Sequence, residues 1–319
     1  MTYLRSLPAP VIGALCASFA VFCFSVNDMA IKFLSGGYAL HQLVLIRALV
    51  GLLVLFVVIL PFSGGIATLR TQKLGQHLIR AGFVVSANML FFLGLAAMPL
   101  AEASAIFFLS PLVITIFSIV FLRETVGPWR WAAIVVGLVG VIVIVRPGTD
   151  AFQMAALFPV AAALAYGGLH MMTRRMGGTE SAVALTFYIQ ITFVLVSLIM
   201  GAAFGAGQLA DQDSVSLQFL LRPWVWPDGA DLWVFSLLGV ALAFGGVAIS
   251  QAYRMSEAAL VAPFEYVGLP MAVFWGITIF DEWPDLTTIL GIALILGSGL
   301  FMVWREARAD RAKRLALRR

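Results

Sequence analysis

Charge is what this chain has little of. Only 11% of its 319 residues are charged, against about 25% in an ordinary soluble domain. Hydrophobic residues make up 62%, and mean hydropathy is +1.01. A chain this poor in charge cannot clothe a water-soluble surface, so the protein is an integral membrane protein. Cysteine is scarce too. Cys16 and Cys23 share one apolar stretch, so neither a disulfide framework nor a zinc site is supported, and both read as small buried apolar residues. The three histidines, His41, His77 and His170, stand on separate segments. No HExxH, GxSxG elbow, Walker loop or dinucleotide fingerprint occurs, so a membrane-embedded enzyme lacks its parts and no cofactor is expected. A channel would need a ring of like charges along one pore, and none is visible.

Long apolar runs are what the chain has in abundance. A bilayer core about 30 Å thick takes about 20 helical residues to cross. That window yields ten spans, near 11–34, 40–61, 76–97, 101–122, 129–145, 154–173, 181–204, 231–252, 257–280 and 286–304. Turn chemistry flanks them, as at Gly36-Gly37, Pro147-Gly148 and Pro227-Asp228-Gly229. The expected class is an all-α membrane protein. The first run follows Arg5 but is too long for a signal peptide and continues into Asp28 and Lys32. The one long connection, Gly205 to Ala230, carries Trp224 and Trp226, which suit a membrane interface.

Basic residues test this count. With both termini cytoplasmic, sixteen of the twenty lysines and arginines fall on inner segments; Lys32, Arg47, Arg146 and Arg222 are the rest. A wrong number of spans would scramble that asymmetry. The expected location is the cell inner membrane.

The chain is also written twice. MPLAEASAIFFLSPLVITIFSIVFLRE, from Met98 to Glu124, returns as MSEAALVAPFEYVGLPMAVFWGITIFDE, from Met255 to Glu282. A shift of 157 aligns Met98, Ala101, Ala105, Phe107, Leu112 and Phe117 with identical residues. It also aligns Phe108 with Glu265. A shift of 142 places Phe24 on Tyr166, Asp28 on His170, Lys32 on Arg174 and Gly36 on Gly178. Five spans per half is an odd number, so the second half enters from the opposite face and the repeat is inverted. The expected units are residues 1–148, residues 149–304 and a basic cytoplasmic tail, 305–319. Inverted halves with a site between them are the architecture of a secondary transporter working by alternating access.

The stretch MPLAEASAIFFLSPLVITIFSIVFLRET, its parallel SEAALVAPFEYVGLPMAVFWGITIFDEWP and the following GIALILGSG resemble the drug/metabolite transporter superfamily, in particular its ten-helix EamA type. The opening FSVNDMAIKFLSGGYALHQLVLIR is similar to the start of bacterial riboflavin importers of that superfamily. The resemblance implies a basket of two five-helix halves with a central cavity lined by spans one, three, four, six, eight and nine. It implies transport of a small organic metabolite, by uptake of riboflavin or a similar planar vitamin, or by export of amino acids or other metabolites.

A charge at the bilayer centre costs about 2.5–3.5 kcal/mol on insertion scales, so each one in a span is a candidate. Asp28 and Lys32 share a helix face and can neutralise each other; Arg47, in the second span, is the alternative partner of Asp28. Glu265 lies between Pro263 and Pro270, where desolvation favours its neutral form, so it can take up and release a proton during transport. Tyr166 and His170 share a face in the sixth span, and Asn88, Gln251 and Tyr266 add neutral polar groups suited to an uncharged or heteroaromatic ligand. These eight residues are the expected substrate site, with Phe91, Phe107, Phe108 and Trp275 as stacking surfaces. Lys32, Glu102, Glu124 and Glu282, at span ends, are expected to gate. Expected partners are the small-molecule substrate, the bilayer and a coupling proton, with no nucleic acid and no bound metal, in a monomer or homodimer.

Overall fold

The computed structural model describes residues 9–122, 127–149, 153–176, 180–255 and 264–316; the side chains of 9–11, 118, 122, 130, 170, 173–176, 253–255, 303 and 306–316 fall outside this description. Helices are α1 (Ala9–Leu34), α2 (Leu40–Val54), α3 (Leu74–Ala97), α4 (Leu100–Phe107), α5 (Ser110–Leu122) and α6 (Pro128–Val145) in the first half. The second half has α7 (Leu157–Met176), α8 (Ala182–Phe204), the short α9 (Val215–Leu221), α10 (Asp231–Met255), α11 (Gly268–Phe280) and α12 (Leu286–Ala316). No strand occurs among the described residues. With α4 and α5 forming one interrupted span and α9 lying in a connection, these helices supply the ten expected crossings.

Helix partnering follows the inverted repeat. The α1–α10 pair is matched by α7–α3, while α2 packs on α8, α6 on α12 and α4 on α11. Exchanging the halves maps each pair onto another pair or onto itself, as a pseudo-twofold axis in the membrane plane requires. Close approach comes from small residues. A Cβ on Gly140 would lie 3.0 Å from the Gly291 carbonyl oxygen, and one on Gly291 2.9 Å from that of Gly140, so glycines face each other where α6 meets α12.

Three features differ from expectation. The fourth span is broken at Phe108-Leu109, because Pro111 has no N–H to donate to the Phe107 carbonyl. The Gly205–Ala230 connection contains α9 and is pinned to the first half. Arg222 Nη1 donates to Ser35 O at 2.8 Å, Ser216 Oγ to Leu93 O at 2.6 Å and Gln42 Nε2 to Val225 O at 2.5 Å. Trp224 is 37% exposed, its Nε1 donating to His41 Nδ1 at 2.5 Å, while Trp226 is 91% exposed. Lastly, α12 runs through Ala316, so most of the basic tail continues the last helix; its Ala, Arg, Lys and Glu residues are good helix formers.

Candidate substrate cavity

A cavity of about 110 Å³ lies where the interrupted helices meet. Backbone interruption puts it there. The break between α4 and α5 brings Phe107, Phe108 and Ser110 to the cavity wall, and the turn at Tyr266-Val267 before α11 brings Glu265 and Gly268. Gly- or Pro-interrupted helices at corresponding positions of two repeats are the structural mark of a transporter binding site. From α1 come Phe24, Ser25 and Asp28, from α3 Phe91, and from α7 Tyr166. Two pairs aligned by the repeat, Phe24 with Tyr166 and Phe108 with Glu265, thus line one cavity.

Aromatic rings dominate the wall. Phe107 contacts Phe91 and Tyr166 at centroid separations of 5.0 and 5.3 Å, and Phe108 contacts Tyr266 at 5.7 Å. Two carboxyl groups, Asp28 and Glu265, face this apolar lining. Glu265 shares this wall with Tyr166. Ser25, Ser104 and Ser110 complete the polar lining, and Trp275 Nε1 donates to Ser25 Oγ at 3.3 Å.

Of the eight expected site residues, Asp28, Tyr166 and Glu265 line the cavity. Arg47 and Asn88 sit behind the wall. Arg47 is fully buried, donating from Nη1 to Asn27 Oδ1 at 3.0 Å and from Nη2 to Asn88 Oδ1 at 2.7 Å. Its guanidinium lies 5.1 Å from the Phe92 ring centroid and 5.0 Å from that of Phe193. Asn27 Nδ2 in turn donates to Asp28 Oδ1 at 3.0 Å, so Arg47 reaches Asp28 through an amide relay. Tyr266 points toward α12, where Gly299 leaves room for its hydroxyl. Gln251 is outside the cavity lining, and the His170 side chain lies outside the described residues. The serines escaped sequence reasoning because a lone serine in a span carries no distinctive signal.

The gate candidates gather at the end of the bundle that carries the 205–230 connection. Lys32 turns away from Asp28: its Nζ donates to Glu282 Oε1 at 2.5 Å and to Met98 O at 2.8 Å. Glu282 Oε2 accepts from the backbone N–H of Leu100 at 2.9 Å, and Leu100 is itself a cavity residue. Glu102 Oε1 accepts from Thr288 Oγ1 at 3.0 Å. Each of these acid contacts joins the first half to the second, directly above the cavity. Glu124 lies outside the described residues.

The profile of the EamA-like transporter family matches residues 11–146. A riboflavin transporter of Rhizobium johnstonii is 32% identical over 303 residues, covering 94% of this chain and 94% of that protein. This chain belongs to the EamA-like transporter family. A riboflavin transporter of Vibrio cholerae is 29% identical over 96% of this chain and 97% of its own length. An S-adenosylmethionine uptake transporter of Rickettsia felis is 28% identical, covering 89% of this chain and 90% of its own. One solved crystal structure, 17% identical, superposes with a TM-score of 0.66 over 91% of this chain and 95% of its own. That likeness speaks for the fold. This EamA protein is a multi-pass membrane transporter.

Proposed function

We propose that the protein takes up riboflavin or a closely similar planar vitamin across the inner membrane by alternating access. The carrying observation is the cavity wall: Phe24, Phe91, Phe107, Phe108 and Tyr166 offer faces for a flat ring system, and Asp28 and Glu265 accept hydrogen bonds from ring N–H or hydroxyl groups. The relatives named riboflavin transporter support the same class. In this reading both termini are cytoplasmic, as the distribution of basic residues favours, and Lys32, Glu102 and Glu282 close the outward end. Drug-sized ligands occupy about 300–1,000 Å³, far above the 110 Å³ of this cavity. The halves therefore separate at one end to admit substrate.

A second reading is favoured by the two carboxylates. They also suit a planar ligand bearing a positive charge, such as S-adenosylmethionine, the cargo named for the Rickettsia relatives. Competition in proteoliposomes separates the two. Uptake of labelled riboflavin, blocked by unlabelled riboflavin and insensitive to excess S-adenosylmethionine or amino acids, supports the first. Uptake of labelled S-adenosylmethionine with no riboflavin uptake replaces it with the second, and counterflow of amino acids alone overturns both in favour of an exporter.

A further inference from the structure

We propose that the groove between the end of α2 and the start of α8 binds one anionic phospholipid. It lies at the bundle end opposite the Lys32–Glu282 contact and takes no part in the central cavity. Here α2 gives up its regular ladder: Leu55–Ile59 form a π-helical turn, Leu60–Phe62 a 3-10 turn containing Pro61, and Ile66–Leu69 a second 3-10 turn after Gly64 and Gly65 at positive φ. π-turns within helices are frequent at functional sites.

The distorted segment is nevertheless firmly held. Tyr188 Oη donates to Leu69 O at 3.0 Å, Ser181 Oγ to Thr68 O at 3.2 Å and Thr71 Oγ1 to Glu180 Oε1 at 3.1 Å. The His77 ring stacks 4.4 Å from that of Tyr188, with Nε2 facing Glu180 Oε2 at 3.2 Å. These contacts keep open a groove of about 750 Å³, several times the central cavity.

Its lining is part apolar and part polar. Phe56, Ile66 and Phe187 supply the apolar part, and the consecutive Arg70, Thr71 and Gln72, of which Arg70 and Gln72 are exposed, supply a polar rim. Phe62 is 85% and Ile66 73% exposed beside it, a cost in water that disappears in lipid. At the rim, the Glu180 carboxylate accepts from Thr71 and lies 3.2 Å from His77 Nε2, whereas the Arg70 guanidinium makes no ion pair among the described residues. An apolar trough ending in an arginine and an amide at the boundary of a span is the pattern for an acyl chain attached to a phosphate. A zwitterionic lipid brings the same phosphate with a compensating ammonium, so the arginine favours a lipid of net negative charge.

The test uses the purified full-length chain, delipidated in a neutral detergent, with thermal unfolding followed as phosphatidylglycerol, phosphatidylcholine or inorganic phosphate is added. Phosphatidylglycerol should raise the midpoint more than phosphatidylcholine, and phosphate should have no effect. Arg70→Ala should cut the phosphatidylglycerol rise to the phosphatidylcholine level. Ile66→Trp, which fills the trough and leaves the charge, should reduce the rise as well. The double variant Arg308→Gln/Arg311→Gln, in the basic end of α12, should respond as wild type does. Equal rises with both lipids, a full rise from phosphate alone, an unaltered response in Arg70→Ala, or a rise abolished only by the α12 variant would each overturn the proposal.

Discussion

Arg47 and Lys32 are both basic residues in spans of the first half, yet they are held in opposite ways. Arg47 is sealed: its amide partners, Asn27 and Asn88, belong to its own half, and two phenyl rings close over it. Lys32 is paired across the molecule, with a carboxylate 250 positions away in the other half. The side chains of Lys32 and Glu282 remain 10% and 25% exposed. The polar contacts of Arg47 are enclosed and neutral on the partner side; the contact of Lys32 with the other half is ionic and reachable by water. A carrier that rocks its halves apart can keep the first kind throughout its cycle and must break and remake the second.

Removing the sealed group gives the largest expected effect. Arg47→Ala leaves the two amide oxygens unpaired and opens a void, an expected loss of about 3–5 kcal/mol. Thermal unfolding in detergent and the yield of folded protein should both fall sharply. Arg47→Lys should not restore them, because a point ammonium cannot serve two diverging carbonyls and two ring faces as a planar guanidinium does. A wild-type midpoint for Arg47→Ala would place this cation in the breakable class beside Lys32.

Lys32→Met tests the other member. Glu282 keeps its bond from the Leu100 N–H and its access to water, so the stability loss should be about 1 kcal/mol. Transport per folded molecule should instead fall about tenfold, as expected when about 1.4 kcal/mol of preference for the closed end disappears. Exchanging the charges, with Lys32→Glu and Glu282→Lys together, should recover part of the rate that either single change loses. A drop in stability with unchanged turnover would make this contact a structural staple.

That contrast marks how far the sequence could be read. Hydropathy and the basic residues gave the spans, and the two repeat shifts brought Phe24, Tyr166, Phe108 and Glu265 to one wall, because periodic and repeated signals survive in a linear string. The partner of Lys32 was not legible. Its i−4 neighbour Asp28 offered a plausible local pairing, whereas Glu282 becomes its neighbour only once α11 packs against α1 and α4. Arg47 looked like a ligand for the same reason: the rings that enclose it come from α3 and α8. The basic tail was read from its charge alone, although its helix-forming composition already pointed to a continuation of α12.

Glu265 asks whether the cavity's two acids share one role. Asp28 is tied through Asn27 to Arg47, whereas Glu265 comes from the second half and shares the cavity wall with Tyr166. We expect Glu265→Gln to bind substrate and exchange it at equal pH within about threefold of wild type. Acceleration by an imposed proton gradient should be lost. Gradient-driven uptake in the variant equal to that of wild type would remove Glu265 as the coupling group.

The smallest expected effect belongs to another contact between the halves, on the surface, where Arg146 Nη2 pairs with Asp285 Oδ2. Asp285 has a second task, accepting from the Thr288 N–H at 2.8 Å as the cap of α12. The bond from Arg146, then those from Thr288, hold its carboxyl down to about 2 from the usual 3.8. A group whose folded value is depressed contributes stability that is complete above its unfolded value and lost as pH falls through the folded one. The pair's contribution should therefore be constant above about pH 4 and fade toward pH 2. Its size is limited by exposure, since surface pairs contribute about 0–1 kcal/mol and weaken with salt. Asp285→Asn removes the charge and keeps a good capping side chain, so it should cost less than about 0.5 kcal/mol and flatten the acid dependence between pH 4 and 2. Asp285→Ala removes the cap as well and should cost about 1 kcal/mol more at every pH. If Asp285→Asn slows transport as strongly as Lys32→Met, ionic pairing across the halves governs closure even where water reaches it freely, and position above the cavity is not what sets Lys32 and Glu282 apart.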